Sequence, residues 1–320
     1  MVSTKNALIL KSSGNPMPFV GLGLWQVPKD KAADVVFNGL QIGYRLLDNA
    51  SDYGNEKEVG DGIKKAIEHG IVKREDIFVT SKLWNTNHKR EHVRPALERT
   101  LKDLGLDYLD LYLIHFPVSL EYVDPSVRYP AGWFGSDENV TARETWEAME
   151  ELVDAGLVKN IGLSNFSAAL IYDLLKYARI RPAVLQIEHH PYLTQENLIK
   201  YMKSQEIAVT AYSSLGTLSF QEFDGEYGQR ALRTPSLLKQ DIVLEVAASH
   251  KRTPAQVLLR WSVQRGIAVI PKSNKHERLV ENMNIFDFSL TEEELRRISS
   301  LDRRLRFNDP AVFADLPIFD

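Results

Sequence analysis

Residues 77–84 read IFVTSKLW; a charged stretch of helical period follows, HVRPALERTLKDLG (92–105), and then a second apolar run, YLDLYLIHF (108–116). Near-continuous apolar runs suit strands covered on both faces, as in a parallel sheet. The stretch between them repeats its apolar residues with the period of a helix. The same alternation extends in both directions. Further strand candidates are FVGLGLW (19–25), YRLLDNA (44–50), VKNIGLSN (158–165), PAVLQIEHH (182–190), IAVTAYSSL (207–215) and IAVIPKS (267–273). Among the helical stretches between them are KAADVVFNGLQIG (31–43), EKEVGDGIKKAIEHG (56–70) and ETWEAMEELVDAG (144–156). Gly70, Gly105, Gly156 and Gly266 stand where helices should stop, because glycine reaches the left-handed conformation without Cβ strain.

Eight strand candidates, each followed by a helix, predict a (β/α)₈ TIM barrel, an α/β fold of about 250 residues in its simplest form. The remainder of the 320 residues has homes outside the repeat. ALILKSSGNPMPFV (7–20) predicts an N-terminal β-hairpin. Long loops are expected after strands 4 and 7 and at the C-terminus, roughly 117–141, 216–239 and 303–320. No composition shift or low-complexity linker divides the chain, so one domain over 1–320 is expected. The doubly wound alternative lacks its fingerprint: no G-x-G-x-x-G opens a helix, and GLGLW (21–25) misses the third glycine.

Composition narrows the function classes. The chain has no cysteine, which excludes thiol nucleophiles, disulfides and Cys-based metal sites. A formal charge of −4 carries no signature of nucleic-acid binding. No apolar run is long enough to span a bilayer, and the N-terminus has no secretory pattern. A soluble, cytoplasmic protein is expected.

Barrel active sites lie at the C-terminal ends of the strands. There the sequence places Trp25, Asp48, Lys82 with Trp84, His115, Ser164 with Asn165, Gln186, Tyr212 and Lys272. Lys82 and His115 sit inside apolar runs, where an unpartnered charge is expensive. Strands 2, 3 and 4 are neighbours, so Asp48 is expected to hold Lys82 protonated, with Tyr53 and His115 converging on the same point. A phenol beside Lys⁺ should have a lowered pKa, which makes Tyr53 a candidate general acid. His115 is placed to orient a carbonyl oxygen. Taken singly, an Asp after a strand is usually a turn residue and a buried Tyr is usually packing. Four such residues at matching ends of three consecutive strands favour chemistry. A purely structural Asp48–Lys82 salt bridge is the alternative.

The motifs DNASDYGNE, SKLWN, LIHFP, GLSNF, EHHPYL and IPKSN resemble, in order and spacing, those of the aldo-keto reductase superfamily along essentially the whole chain. Within it, HFP (115–117), AYSSLG (211–216) and LRFNDP (305–310) are most similar to the fungal xylose (aldose) reductases. The resemblance implies a catalytic tetrad of Tyr53, Asp48, Lys82 and His115, with Tyr53 as proton donor. It implies NADPH bound without a Rossmann fold. Tyr212 would stack on the nicotinamide, and Ser164, Asn165 and Gln186 would bind its carboxamide. Lys272, Ser273, Asn274 and Arg278 would hold the 2′-phosphate and adenosine, with Glu281 and Asn282 at the adenine. Ser213, Leu215, Ser219 and Glu222 would lie over the pyrophosphate and ribose; Glu222 is suited to a ribose hydroxyl of NADH, which would allow either cofactor. Trp25, Trp84, Phe116 and Trp133 would wall the substrate pocket, with Asp52, His115 and Asn308 as its polar positions. Asn49 departs from the family, which often carries a small residue or Thr there.

The resemblance thus implies an aldose reductase that turns open-chain aldoses such as D-xylose into alditols, possible as a homodimer. A general aldehyde or ketone reductase and a non-catalytic NADPH-binding regulatory barrel are the alternatives within the family. A Schiff-base aldolase using Lys82 needs a neutral amine, against which Asp48 argues. HKREH (88–92) fits H-x-x-E-H but lies on a charged surface helix without a third ligand, and His189 and His190 diverge along a strand. No metal is expected, and no G-x-S-x-G supports a serine hydrolase.

Overall fold

The computed structural model describes residues 4–133, 135–221, 223 and 225–319. A hairpin of β1 (Ala7–Ile9) and β2 (Pro16–Pro18) comes first. Eight parallel strands follow: β3 (Leu22–Gly23), β4 (Leu46–Asp48), β5 (Phe78–Leu83), β6 (Leu111–Ile114), β7 (Ile161–Ser164), β8 (Val184–Glu188), β9 (Ala208–Tyr212) and β10 (Ala268–Val269). From β4 onward, each pairs with its predecessor in sequence order. The sheet closes on itself where Val20 bridges Val269 in parallel and the Gly21 N–H donates to the Val269 carbonyl at 2.8 Å. Every barrel strand lies inside one of the eight expected runs.

Every residue of β5, β6, β7 and β8 is buried, because helices cover the outer face and side chains fill the inner one. The helices that follow the first four barrel strands are α1 (Lys29–Ile42), α2 (Glu56–Glu68), α3 (Arg90–Leu104) and α4 (Ala142–Asp154). Then come α5 (Ala168–Leu174), α6 (Glu196–Ser204), α7 (Gly225–Arg233), α8 (Asp241–His250) and α9 (Pro254–Gln264). After β10 the chain adds α10 (His276–Met283), α11 (Glu292–Ser299) and the short α12 (Pro310–Phe313). Helix α7 forms within the expected loop after strand 7.

The barrel has a floor and an open mouth. Leu10 and Met17 of the hairpin pack with the inward residues Leu46, Phe78, Leu111, Leu113, Val184 and Ala268. The hairpin therefore plugs the N-terminal end with apolar side chains and leaves the C-terminal end for chemistry. Closure needs a close approach at Gly23, where a Cβ would stand 2.5 Å from the Ile270 carbonyl oxygen. The last strand is short because Pro271 has no N–H to continue the ladder, and the chain turns outward across the mouth.

Candidate active site

At the mouth, a short 3₁₀ turn, Ser51–Tyr53, follows β4 and brings Tyr53 back over the strand ends. Lys82 lies on the inward face of β5, one inward step beyond Thr80, the residue paired with Asp48. It is fully buried, and its three donors are all used. Nζ donates to Asp48 Oδ1 at 2.6 Å, to the Asn49 carbonyl at 2.7 Å and to the Tyr53 hydroxyl at 3.1 Å. The His115 ring stands edge-on to Tyr53, centroids 5.9 Å apart, and edge-on to Trp84 at 5.2 Å. All four residues of the expected tetrad thus converge.

The electrostatics differ from the sequence expectation in one respect. Burial pushes the Tyr53 phenol well above its ordinary pKa, and Asp48 and Asp52 push the same way. Lys82, 3.1 Å from the hydroxyl, pulls the other way, but Asp48 at 2.6 Å offsets its charge and burial wins. Burial lowers the Lys82 pKa, with Asp48 opposing. Burial, with Lys82 beside it, also drives His115 well below its usual value, so the ring is neutral. The chemistry on offer is a neutral phenol braced by a cation, with a neutral imidazole beside it. Such a pair donates hydrogen bonds to one oxygen and supplies one proton.

Asn165 and Gln186 carry bonds that the sequence did not indicate. Gln186 Nε2 donates to Asp48 Oδ2 at 2.6 Å. Asn165, held at a positive φ of 63°, donates to the His115 carbonyl at 2.9 Å and to Ser164 Oγ at 3.1 Å. Its Oδ1 accepts from the Tyr212 hydroxyl at 2.6 Å.

One cavity of about 1110 Å³ runs from this cluster across the mouth. Asp48, Asp52, Tyr53, His115, Trp25, Trp84, Phe116, Trp133 and Asn308 line it, as do Ser164, Asn165, Gln186 and Tyr212. Ser213, Leu215, Ser219, Lys272, Ser273, Asn274, Arg278, Glu281 and Asn282 also line it. Lys82 lies behind the wall, and Glu222 falls outside the described residues. Sequence reasoning missed Lys275, Thr253 and Phe313 on the same wall. Thr253 caps α9 in a capping box and donates to Glu281 at 2.5 Å; its T-P-x-Q pattern was a readable signal. Phe313, edge-on to Trp133 at 5.3 Å, had none.

The donor set suits an elongated anionic cofactor. Three cations, Lys272, Lys275 and Arg278, line the same cavity as Tyr53 and Tyr212. Gly23 lines the cavity where any larger residue would meet Ile270. No cluster of His, Asp or Glu suited to a metal ion occurs among the described residues. In HKREH, His88 contacts Ser119 at 3.2 Å while the His92 ring stacks on Tyr122, centroids 3.7 Å apart.

A parallel barrel with a buried Asp–Lys–Tyr cluster and no glycine-rich dinucleotide motif defines a class of barrel oxidoreductases. The Aldo/keto reductase family model matches residues 19–303, and the chain belongs to that family. It is 55% identical over 312 residues to a probable NAD(P)H-dependent D-xylose reductase of Emericella nidulans, covering 96% of this chain and 97% of the relative. It is 52% identical over 314 residues to an NAD(P)H-dependent D-xylose reductase of Candida tropicalis, covering 96% of each. The aldose reductase structure from Schistosoma japonicum superimposes with a TM-score of 0.87 at 42% identity, over 98% of this chain and 97% of that one.

Proposed function

We propose that this enzyme is an NADPH-preferring aldose reductase that reduces the C1 carbonyl of open-chain aldoses such as D-xylose to the alditol. The observation that carries the reading is the Tyr53 hydroxyl, 3.1 Å from Lys82 Nζ, in a cavity that Lys272, Lys275 and Arg278 also line. The bound cofactor supplies the hydride. Tyr53 donates the proton to the nascent alkoxide, and Lys82, held by Asp48, stabilises the phenolate left behind. Neutral His115 donates to the carbonyl oxygen and aligns it. Lys272 and Arg278 would favour a 2′-phosphate over a ribose hydroxyl, since fixed cations make strong charge-assisted bonds to phosphate.

Asp52 and Asn308 would receive sugar hydroxyls. The aromatic wall of Trp25, Trp84, Phe116, Trp133 and Phe313 equally favours a second reading, a general reductase of apolar aldehydes. A single (β/α)₈ domain, a homodimer and a cytoplasmic setting belong to the same proposal. The lack of cysteine suits a reducing compartment. No helix among the described residues is long and apolar enough to cross a membrane.

Steady-state kinetics with D-xylose, L-arabinose and a hydroxyl-free aldehyde, each with NADPH and NADH, test the function. Higher kcat/KM for aldoses with NADPH supports the first reading. Aldehyde reduction with no turnover of any aldose supports the second, and no reduction at all overturns both.

A further inference from the structure

Beyond α11 the chain crosses the mouth of the barrel and is held there by one buried carboxylate. Glu188 ends β8, two residues past Gln186, and is 0% exposed. Its Oε1 accepts from the Phe307 N–H at 2.8 Å and its Oε2 from the Asn308 N–H at 2.7 Å. His190 Nε2 lies 2.8 Å from Oε1. Burial alone would raise this carboxyl's pKa, but His190, Arg306 and the Phe307 N–H hold it below the usual range.

The loop after β8 completes the dock. The Tyr192 carbonyl accepts from the N–H groups of Arg303 and Leu305 at 3.1 and 3.0 Å. Thr194 donates to Asp302 at 2.8 Å, and Arg306 to Gln195 Oε1 at 3.3 Å. Two consecutive N–H groups on one carboxylate fix the peptide between Phe307 and Asn308, and so the direction in which Asn308 leaves the backbone. Its Nδ2 then donates to the Tyr212 hydroxyl at 3.2 Å, at the cavity wall. Glu188 is not among the lining residues, so whatever it does to a substrate passes through Asn308.

We propose that Glu188 is a positioning residue for substrate selection: it latches the C-terminal segment so that Asn308 meets the hydroxyls of a polyol-like aldehyde. This rests on the aldose reductase reading. A hydroxylated substrate depends on the latch, and a hydroxyl-free aldehyde of similar length does not.

Glu188→Gln is the test. It keeps the shape but offers one acceptor oxygen where two N–H groups need one each. KM for D-xylose should rise roughly tenfold, the loss of about one hydrogen bond. kcat, KM for butanal and Kd for NADPH should stay within about twofold. Hydrogen exchange at residues 305–309 should quicken without any substrate. In an Asn308→Ala background the effect of Glu188→Gln on the xylose KM should vanish, because coupled residues are non-additive. Equal losses for xylose and butanal, or additive effects of the two substitutions, overturn the proposal. If the glutamine variant does not fold, Glu188→Asp, which keeps the charge but shortens the reach, is held to the same outcomes. A wild-type enzyme that reduces neither aldehyde defeats the functional reading and the selection role together. Unchanged exchange at 305–309 defeats the latch alone.

Discussion

Gln186 on β8 donates to Asp48 on β4, Nε2 to Oδ2 at 2.6 Å, across the full width of the barrel. Lys82 occupies the other carboxylate oxygen at the same distance. Asp48 is therefore held from two sides, and the bond joins strands four places apart in an eight-stranded ring.

If Gln186 only contacted cofactor, its loss would be silent in the free enzyme. Gln186→Leu should instead destabilise the cofactor-free protein by about 1–3 kcal/mol, the cost of a buried acceptor losing its donor. Urea denaturation without NADPH measures it, and an unchanged midpoint would remove the structural role.

Tyr53→Phe should lower kcat by roughly 10²–10⁴, the usual contribution of a general acid. Kd for NADPH, from quenching of protein fluorescence, should hardly move. Near-normal turnover would sink the assignment of Tyr53 as proton donor.

Lys82→Met leaves the Asp48 carboxylate buried, only 2% exposed, without its countercharge. Breaking a buried pair in this way costs about 3–5 kcal/mol. Adding Asp48→Asn should recover part of that loss, because the orphaned charge goes. Thermal melts of the single and double variants decide it; a double variant less stable than the single would contradict the argument.

Burial pushes the Asp52 carboxyl up to about 7. The folded state thus holds a proton that the unfolded chain releases at ordinary carboxylate pH. This contribution to stability is full below the ordinary carboxylate pKa and is lost as pH rises through about 7. Asp52→Asn should therefore gain on the wild type between pH 5 and pH 8, compared by melting temperature at each. Glu56, raised to about 7 on the outer side of β5, is present in both proteins and cancels. A pH-independent difference would refute the shift.

Lys272→Met should raise KM for NADPH by about tenfold or more, the order of one hydrogen bond to a charged group, and leave KM for NADH nearly unchanged. Equal effects on both cofactors would show that Lys272 does not read the 2′-phosphate.

The barrel was legible because each strand is a short apolar run buried on both faces, and helices stop at glycines such as Gly105, which takes a φ of 64°. The tetrad was legible for a related reason. Lys82 and His115 interrupt apolar runs at strand ends, and a charge there needs a partner within reach. Helix α7, inside a long polar insertion, and Phe313, in a tail without periodicity, carried no such signal.

The sequence by itself determined the order of strands and helices, the strand ends that carry polar groups, and the family motifs that lie on them. Only the tertiary structure decided what those groups do to one another. Asp48 and Gln186 are 138 residues apart, as Glu188 and Asn308 are 120 apart, and no local pattern couples positions so distant. The direction of the Tyr53 shift also waited on the fold. It depends on whether burial and two carboxylates outweigh one cation that Asp48 already neutralises, a balance of distances and solvent exclusion that a linear chain does not contain.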